Sequence, residues 1–350
     1  MKLGAGLGIR SIGTWFPATS ESVQDALSAG RLTDKEAADS GIAALPVSPD
    51  LSPPEMAVLA AEDAALGEPA DRAKIGLVIH SWIHHQGHDI WSPAHYIAHA
   101  VGADSAAALG IQAMCNGSAA AWEAAAAYLL ADPTVDAVLT TTADRFDDQA
   151  FDRWSGDVGV HYGDGATASV LARRDDTRDA LTLLAIGTET VSAVEGLHRG
   201  DDPFTVAPRV ISPRIDVRRT KKAFLEKYGA DRFLVAARTA LRAVVEKTLQ
   251  EAGIEASDPR LRYLALPRVG RKVRVATYHR ALQGHVGAEI LDLGAKTGHL
   301  GAGDLVANCA ELAVLLEPGQ LALVINAGGG AGLSCAVVRR PEGAAEGSHG

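Results

Sequence analysis

Cysteine is scarce in this chain, with three residues in 350, at positions 115, 309 and 335. At such wide spacings they form neither a disulfide framework nor a zinc-ligand pattern. Long hydrophobic runs are missing too: no stretch approaches the ~18 apolar residues that a membrane span needs. Met1 to Ile9 is apolar but reads as the start of a strand, without the long hydrophobic region and cleavage site of a signal peptide. Positive charge is in deficit. A net charge of −10 argues against a general nucleic-acid binder, because phosphate contacts need clustered Lys and Arg. The expectation is a soluble protein of the reducing cytoplasm, with no membrane, nucleic acid or metal among its partners.

Apolar material is abundant, 47% of the chain against 22% charged, which is a globular composition with no disorder signature. The length suffices for one large domain or two medium ones. Apolar, β-branched segments alternate with alanine-rich helical ones, which argues for an α/β fold. The pattern predicts strands at 74–81, 136–142, 166–172, 181–188, 261–266, 321–325 and 334–339. It predicts helices at 53–66, 94–101, 118–131, 230–252 and 304–316. Gly163-Asp164-Gly165 leads into one strand that stops at Arg173-Arg174, and Gly328-Gly329-Gly330 leads into another that stops at Arg339-Arg340. This weak duplication divides the chain into halves 1–176 and 177–340, with a frayed tail at 341–350. Ser192–Lys222, with Pro203, Pro208 and Pro213, reads as an irregular inserted loop or lid.

The chemistry-bearing segment is Gln112-Ala113-Met114-Cys115-Asn116-Gly117-Ser118, at the head of an alanine-rich helix. A thiol there feels the positive end of the helix dipole, which favours the nucleophilic thiolate. Most free cysteines are small buried hydrophobes, and this segment alone leaves both readings open.

Together with Ser52-Pro53-Pro54-Glu55-Met56-Ala57, Ser92-Pro93-Ala94, Tyr162-Gly163-Asp164-Gly165-Ala166 and Gly328-Gly329-Gly330, the cysteine segment resembles the β-ketoacyl-acyl-carrier-protein synthase III family of the thiolase superfamily. The resemblance runs in the family's order from about residue 5 to 340. It implies a thiolase fold, five-layered α/β/α/β/α from two duplicated halves, usually as a homodimer. It also implies that Cys115 accepts an acyl group from a carrier-protein or CoA thioester. The oxyanion would be held by the N–H groups of Cys115 and Gly330, a preorganised device that contributes about 3 kcal/mol in such sites. No cofactor besides the thioester's own pantetheine arm is implied.

Two departures carry the functional expectation. Condensing members use a His and an Asn to decarboxylate malonyl thioester. Arg268 stands where the histidine belongs, and His299 where the asparagine belongs. His299 could instead serve as base to Cys115, with Asp304 orienting the imidazole or merely capping the helix that it opens. This pattern is similar to acyltransferases of polyketide antibiotic pathways. The expected function is therefore non-decarboxylative transfer from a carrier-protein thioester to a hydroxyl, such as a sugar of a glycosylated polyketide. The rival is a starter-unit ketosynthase that condenses the acyl group with malonyl carrier protein.

His198 is a candidate for the acceptor's side of the site, and Arg268, Trp82 and Trp91 are candidate substrate-binding residues. The histidines at 80, 84, 85, 88, 95 and 99 invite a metal reading, but they lack a carboxylate ligand pattern, so an aromatic, His-lined wall or dimer contact is expected. Basic residues at 218, 219, 221, 222, 262, 268, 271, 272 and 274 are either a solvated face or a docking patch for an acidic carrier protein.

Overall fold

A computed structural model describes residues 1–67 and 69–343; most of the expected tail, 344–350, lies outside the described residues. The strands are β1 (Lys2–Trp15), β2 (Ser20–Ser22), β3 (Ala44–Pro46), β4 (Ile75–Ser81), β5 (Ala107–Ile111), β6 (Ala137–Asp144), β7 (Gly165–Arg173), β8 (Leu181–Thr190), β9 (Leu261–Ala265), β10 (Glu289–Leu291), β11 (Leu321–Gly328) and β12 (Gly332–Arg339). Ten of them run continuously in the order β10-β9-β11-β12-β8-β1-β7-β6-β4-β5, and β2 and β3 pair apart.

That order contains a repeat. β1 pairs antiparallel with β7, β7 antiparallel with β6, and β6, β4 and β5 continue in parallel. From β8, through β12, β11 and β9 to β10, the same sequence of pairings recurs. β1 and β8 pair antiparallel with Leu7 opposite Leu183, so the two five-stranded runs are hooked through their first strands.

The main helices are α1 (Pro53–Asp63), α2 (Pro93–Ala100), α3 (Gly117–Ala131), α4 (Val217–Tyr228), α5 (Ala230–Ala252) and α6 (Asp304–Leu315). Ala119, Ala121, Ala125 and Ala126 of α3 and Leu305, Val306, Cys309 and Leu312 of α6 share one core with inward residues of both runs, among them Ile79, Leu183 and Val324. These two helices are the middle layer. Small side chains on α3 let it fit between two sheets and a second helix, and this is why it has no single apolar stripe. Met56, Ala57, Ala60 and Ala61 of α1, with Ile97 of α2, cover the outer face of the first run. Leu241, Val244, Val245 and Leu249 of α5 cover that of the second. Helix, sheet, helix, sheet and helix make the five layers of the thiolase fold. α1 crosses β1 so closely that a Cβ on Gly13 would lie 2.1 Å from the Ala60 carbonyl oxygen; only glycine fits there.

The predicted strands and helices all form, within a few residues. β2, β3, β5 and β10 were not foreseen: β5 is Ala-Ala-Leu-Gly-Ile, whose residues carry little strand propensity, and the other three have three residues each. The insertion at 192–222 is corrected. It contains short helical turns at Ser192–Val194 and Gly196–Arg199 and the beginning of α4, and only 200–216 is irregular. α4 escapes a hydrophobic-pattern reading because only Thr220 and Phe224, one turn apart, are buried among its charged residues. Among the described residues no helix is long and apolar enough to cross a membrane.

Candidate active site

Cys115 sits in a tight turn, Met114–Asn116, directly ahead of α3 and is 9% exposed. Met114 takes φ +51°, a left-handed conformation that forces the chain to turn sharply at the thiol. The second half of the chain pins this turn. Asn326 Nδ2 of β11 donates to the Cys115 carbonyl at 3.0 Å, and Asn116 Nδ2 donates to Ser334 Oγ of β12 at 2.8 Å. The glycine loop lies over the same turn: a Cβ on Gly328 would stand 2.6 Å from the Asn116 nitrogen. Gly330 follows at φ +86° with open space on its Cβ side.

His299 and Asp304 meet inside the protein, Nδ1 to Oδ2 at 2.6 Å, with both side chains buried. Asp304 also accepts from the main-chain N–H of Leu300 at 2.9 Å and of Arg268 at 2.8 Å. Its side chain makes no cap to α6 and bonds the imidazole instead. A carboxylate accepting from Nδ1 requires a proton on Nδ1, which leaves Nε2 to face the Cys115 sulfur and exchange a proton with it. Burial pulls the His299 pKa down, but the Asp304 carboxylate and the Cys115 sulfur, charge and hydrogen-bond partner at once, hold it well above the usual range. Asp304 titrates below its usual value: burial opposes this, and the imidazole and the N–H donors outweigh it. Cysteine, histidine and aspartate are thus brought together from β5's far end, the 297–300 loop and the head of α6.

Two further side chains complete this wall. The Tyr162 ring stands edge-on to the His299 imidazole, centroids 5.2 Å apart at 64°. Asp144, at the end of β6, is fully buried and accepts from the N–H groups of Ile83, His84 and Ala302 at 2.9, 2.8 and 3.1 Å. Burial pushes its pKa up to about 7, against the pull of those three donors and of His299. Asp144 ties the 83–84 segment to the loop carrying His299, and Gly301 leaves room for it, since a Cβ there would fall 2.1 Å from Oδ2. Neither role was read from the sequence. The available signal for Asp144 was an acid closing a buried strand, Thr140-Thr141-Thr142-Ala143-Asp144. Tyr278 was also missed; it is buried, and desolvation first, then Cys115 and Asp304, raise its pKa.

The remaining sequence candidates divide. His198 reaches the site: a Cβ on Gly329 would lie 3.4 Å from its Nδ1 and 3.4 Å from Met114 Cγ. That Nδ1 is buried without a partner, and burial, then the Lys221 charge, push the pKa down to about 4. Arg268 is corrected. Its guanidinium turns away into Asn308 Oδ1 (2.9 Å), Thr297 Oγ1 (2.9 Å) and Glu311 Oε1 (2.5 Å), and its side chain is buried. All three of its guanidinium nitrogens are engaged within the protein, and its main-chain N–H holds Asp304. Trp82 stacks on His80 at 5.4 Å. Trp91 is exposed and contacts His88 and Tyr96, and among the described residues no ring contact joins it to the Cys115–His299–Asp304 cluster. The basic cluster is largely internally paired: Arg218 with Glu36, Arg219 with Asp202, Lys221 with Asp157, Lys272 with Asp39 and Arg274 with Asp292. Pairing of this kind leaves little free positive charge for a docking patch.

The histidine-rich segment is dispersed among separate partners. His80 bonds Thr141 Oγ1 at 2.9 Å and Gln86 Oε1 at 3.0 Å, His95 bonds Ser92, and His99 bonds Asp104. His80 is fully buried, and desolvation lowers its pKa to about 4. A histidine with a depressed folded pKa stabilises the fold above the unfolded value and loses that contribution as the pH falls through it. Between pH 7 and pH 5 His80 should therefore cost the protein about 2 kcal/mol of stability. Urea unfolding of His80→Gln alongside the wild type should show a correspondingly flatter pH dependence; equal slopes would remove His80 from the acid response.

The fold and this cluster define the class: an enzyme of the thiolase fold. The family 3-oxoacyl-[acyl-carrier-protein (ACP)] synthase III matches over residues 109–193, the stretch around Cys115 and the Gly163–Gly165 loop. Among solved structures, ChlB3, described as an acyltransferase, is 31% identical over 95% of this chain and 97% of its own, with a TM-score of 0.85. The 3-oxoacyl-[acyl-carrier-protein] synthase III of Aquifex aeolicus VF5 is 20% identical over 95% and 100%, TM-score 0.72. That of Pseudomonas aeruginosa PAO1 is 18% identical over 96% and 98%, TM-score 0.73. At those identities the two synthases speak for the fold. No curated protein sequence matches significantly. The chain belongs to the β-ketoacyl-acyl-carrier-protein synthase III-like family of the thiolase superfamily.

Proposed function

We propose that this protein is an acyltransferase that moves an acyl group from a carrier-protein or CoA thioester, through Cys115, to a hydroxyl, without decarboxylation. The single observation that carries the reading is the His299–Asp304 pair beside Cys115, and the Arg268 side chain withdrawn into a salt bridge agrees with it. A base beside the thiol suits acyl transfer, and position 268 offers no imidazole for an enolate. The likeness to ChlB3, described as an acyltransferase, supports the same reading.

In this reading Cys115 Sγ attacks the thioester carbonyl while His299 Nε2 takes the thiol proton. The N–H groups of Cys115 and Gly330 hold the oxyanion. Collapse breaks the carbonyl–sulfur bond of the donor, and the leaving thiolate takes the proton from His299. The acceptor hydroxyl then attacks the acyl-enzyme, giving its proton to Nε2, and the expelled Cys115 thiolate recovers it. In this reading His198, with its unpartnered Nδ1 beside Gly329, orients the acceptor hydroxyl, one on a sugar of a glycosylated polyketide. No resident cofactor or metal enters the scheme. The donor's partner would be acyl carrier protein, and the compartment a reducing cytoplasm, in keeping with three free cysteines. A homodimer is part of the proposal: β5 is the last strand of the sheet, with Ala107 and Gly110 exposed along an edge that a second copy could pair with.

Intact-mass spectrometry after exposure to acyl carrier-protein and acyl-CoA thioesters tests this. A Cys115 adduct discharged by a glycosylated polyketide alcohol, and stable to malonyl carrier protein, is expected. Discharge by malonyl carrier protein with release of carbon dioxide would overturn the reading in favour of a condensing synthase.

A further inference from the structure

Asp157 is a buried acid outside the catalytic cluster, and its neighbours lead straight back into it. Its Oδ1 pairs with Lys221 Nζ of α4 at 2.5 Å, with side chains 1% and 14% exposed. Its Oδ2 accepts the Tyr162 hydroxyl at 2.9 Å. Tyr162 is the residue whose ring forms one wall of the His299 imidazole. Its main chain bridges that of His299, whose N–H donates to His161 at 2.8 Å and whose carbonyl accepts from Gly163 at 3.0 Å.

α4 is fastened to this chain a second time. Arg218 donates through Nε to the Ser155 carbonyl at 3.0 Å and through Nη2 to the Asp157 carbonyl at 3.3 Å. One turn on from Lys221, Phe224 packs with Val194 and Leu197, next to His198, and with Ala331, next to Gly330. One amphipathic helix of the former insertion therefore touches the supports of both histidines and of the glycine loop. A buried ion pair rarely repays its desolvation in stability, so a role in holding geometry explains this one better.

We propose that Lys221 and Asp157 are positioning residues for His299: docking of α4 fixes the Tyr162 hydroxyl, and the Tyr162 ring holds the imidazole against Cys115. The proposal rests on His299 being the partner of Cys115 but not on the identity of donor or acceptor. Positioning matters at this scale because small misplacements of a reacting group cost one to two orders of magnitude in rate.

The test is alkylation of Cys115 by iodoacetamide, in which the thiolate forms an S–C bond and iodide leaves; adducts are located by peptide mapping. It needs no acyl donor, so failure of the acyl-transfer reading would leave its outcome intact. Cys309 and Cys335 are fully buried and report any unfolding. Lys221→Met and Tyr162→Phe should each slow alkylation at neutral pH about tenfold and move its pH profile upward, because a wandering imidazole stabilises the thiolate less. Lys221→Arg should restore both rate and profile. The double variant should be no slower than the slower single, since one chain of contacts is broken twice. Lys222→Met on the same helix should behave as wild type. Singles within twofold of wild type, multiplying effects in the double, or lowered melting temperature with an unmoved pH profile would each overturn the proposal. The near-isosteric Tyr162→Phe keeps the test decisive should Lys221→Met fail to fold.

Discussion

Cys115→Ala forms no acyl-enzyme, and its transfer rate falls by at least about 10⁴-fold, the scale on which nucleophile deletions act when catalysis is covalent. The substitution removes one sulfur from a site whose supports remain. Asn326 still reaches the carbonyl of residue 115, and Asn116 still reaches Ser334, because both bonds avoid the side chain itself. The fold should therefore survive, with a melting temperature within a few degrees of the wild type. Intact mass after incubation with a labelled thioester is the measurement. Labelling of the variant at wild-type level would place the nucleophile elsewhere, and Cys309 and Cys335, both fully buried, are poor alternatives.

His299→Ala should slow both acylation and transfer by about 10³-fold, the range of general acid–base catalysis. It also leaves Asp304 a buried carboxylate without its imidazole, still bonded to the N–H groups of Leu300 and Arg268. A carboxylate so placed loses a charged partner and should titrate higher, which costs stability as well as rate. Single-turnover kinetics separate these effects: a lower melting temperature with near-normal acylation would remove His299 from the chemistry. Cys115→Ala and His299→Ala combined should be little slower than Cys115→Ala alone, because thiol and base act as one unit.

Both predictions rest on residues singled out from the sequence, Cys115 by its local setting and His299 by the family resemblance. Cys115 announces itself by a small-residue helix that starts behind it, and His299 and Asp304 lie five residues apart in a glycine-rich stretch. His198 was singled out only as a histidine within the insertion, and the structure seats it against Gly329 and Met114. Arg268 marks the limit of that approach. Its position in the chain pointed to the site, but side-chain direction is set by what lies opposite. Asn308, Thr297 and Glu311 offer the guanidinium three acceptors away from Cys115.

What the sequence by itself determined is the alternation of strands and helices, the repeated glycine-loop strands and the order of Cys115, His299 and Asp304 along the chain. Those depend on period, propensity and turn chemistry, which act over a few neighbouring residues. The tertiary structure decided which side chains face one another: Tyr162 against His299, Asp144 beneath Gly301, Lys221 on Asp157, and α4 as a docked helix in place of a loose insertion. Partners such as Lys221 and Asp157 are 64 residues apart. Contacts at that range follow from how the layers pack and which buried charges must be paired, and no local pattern records them.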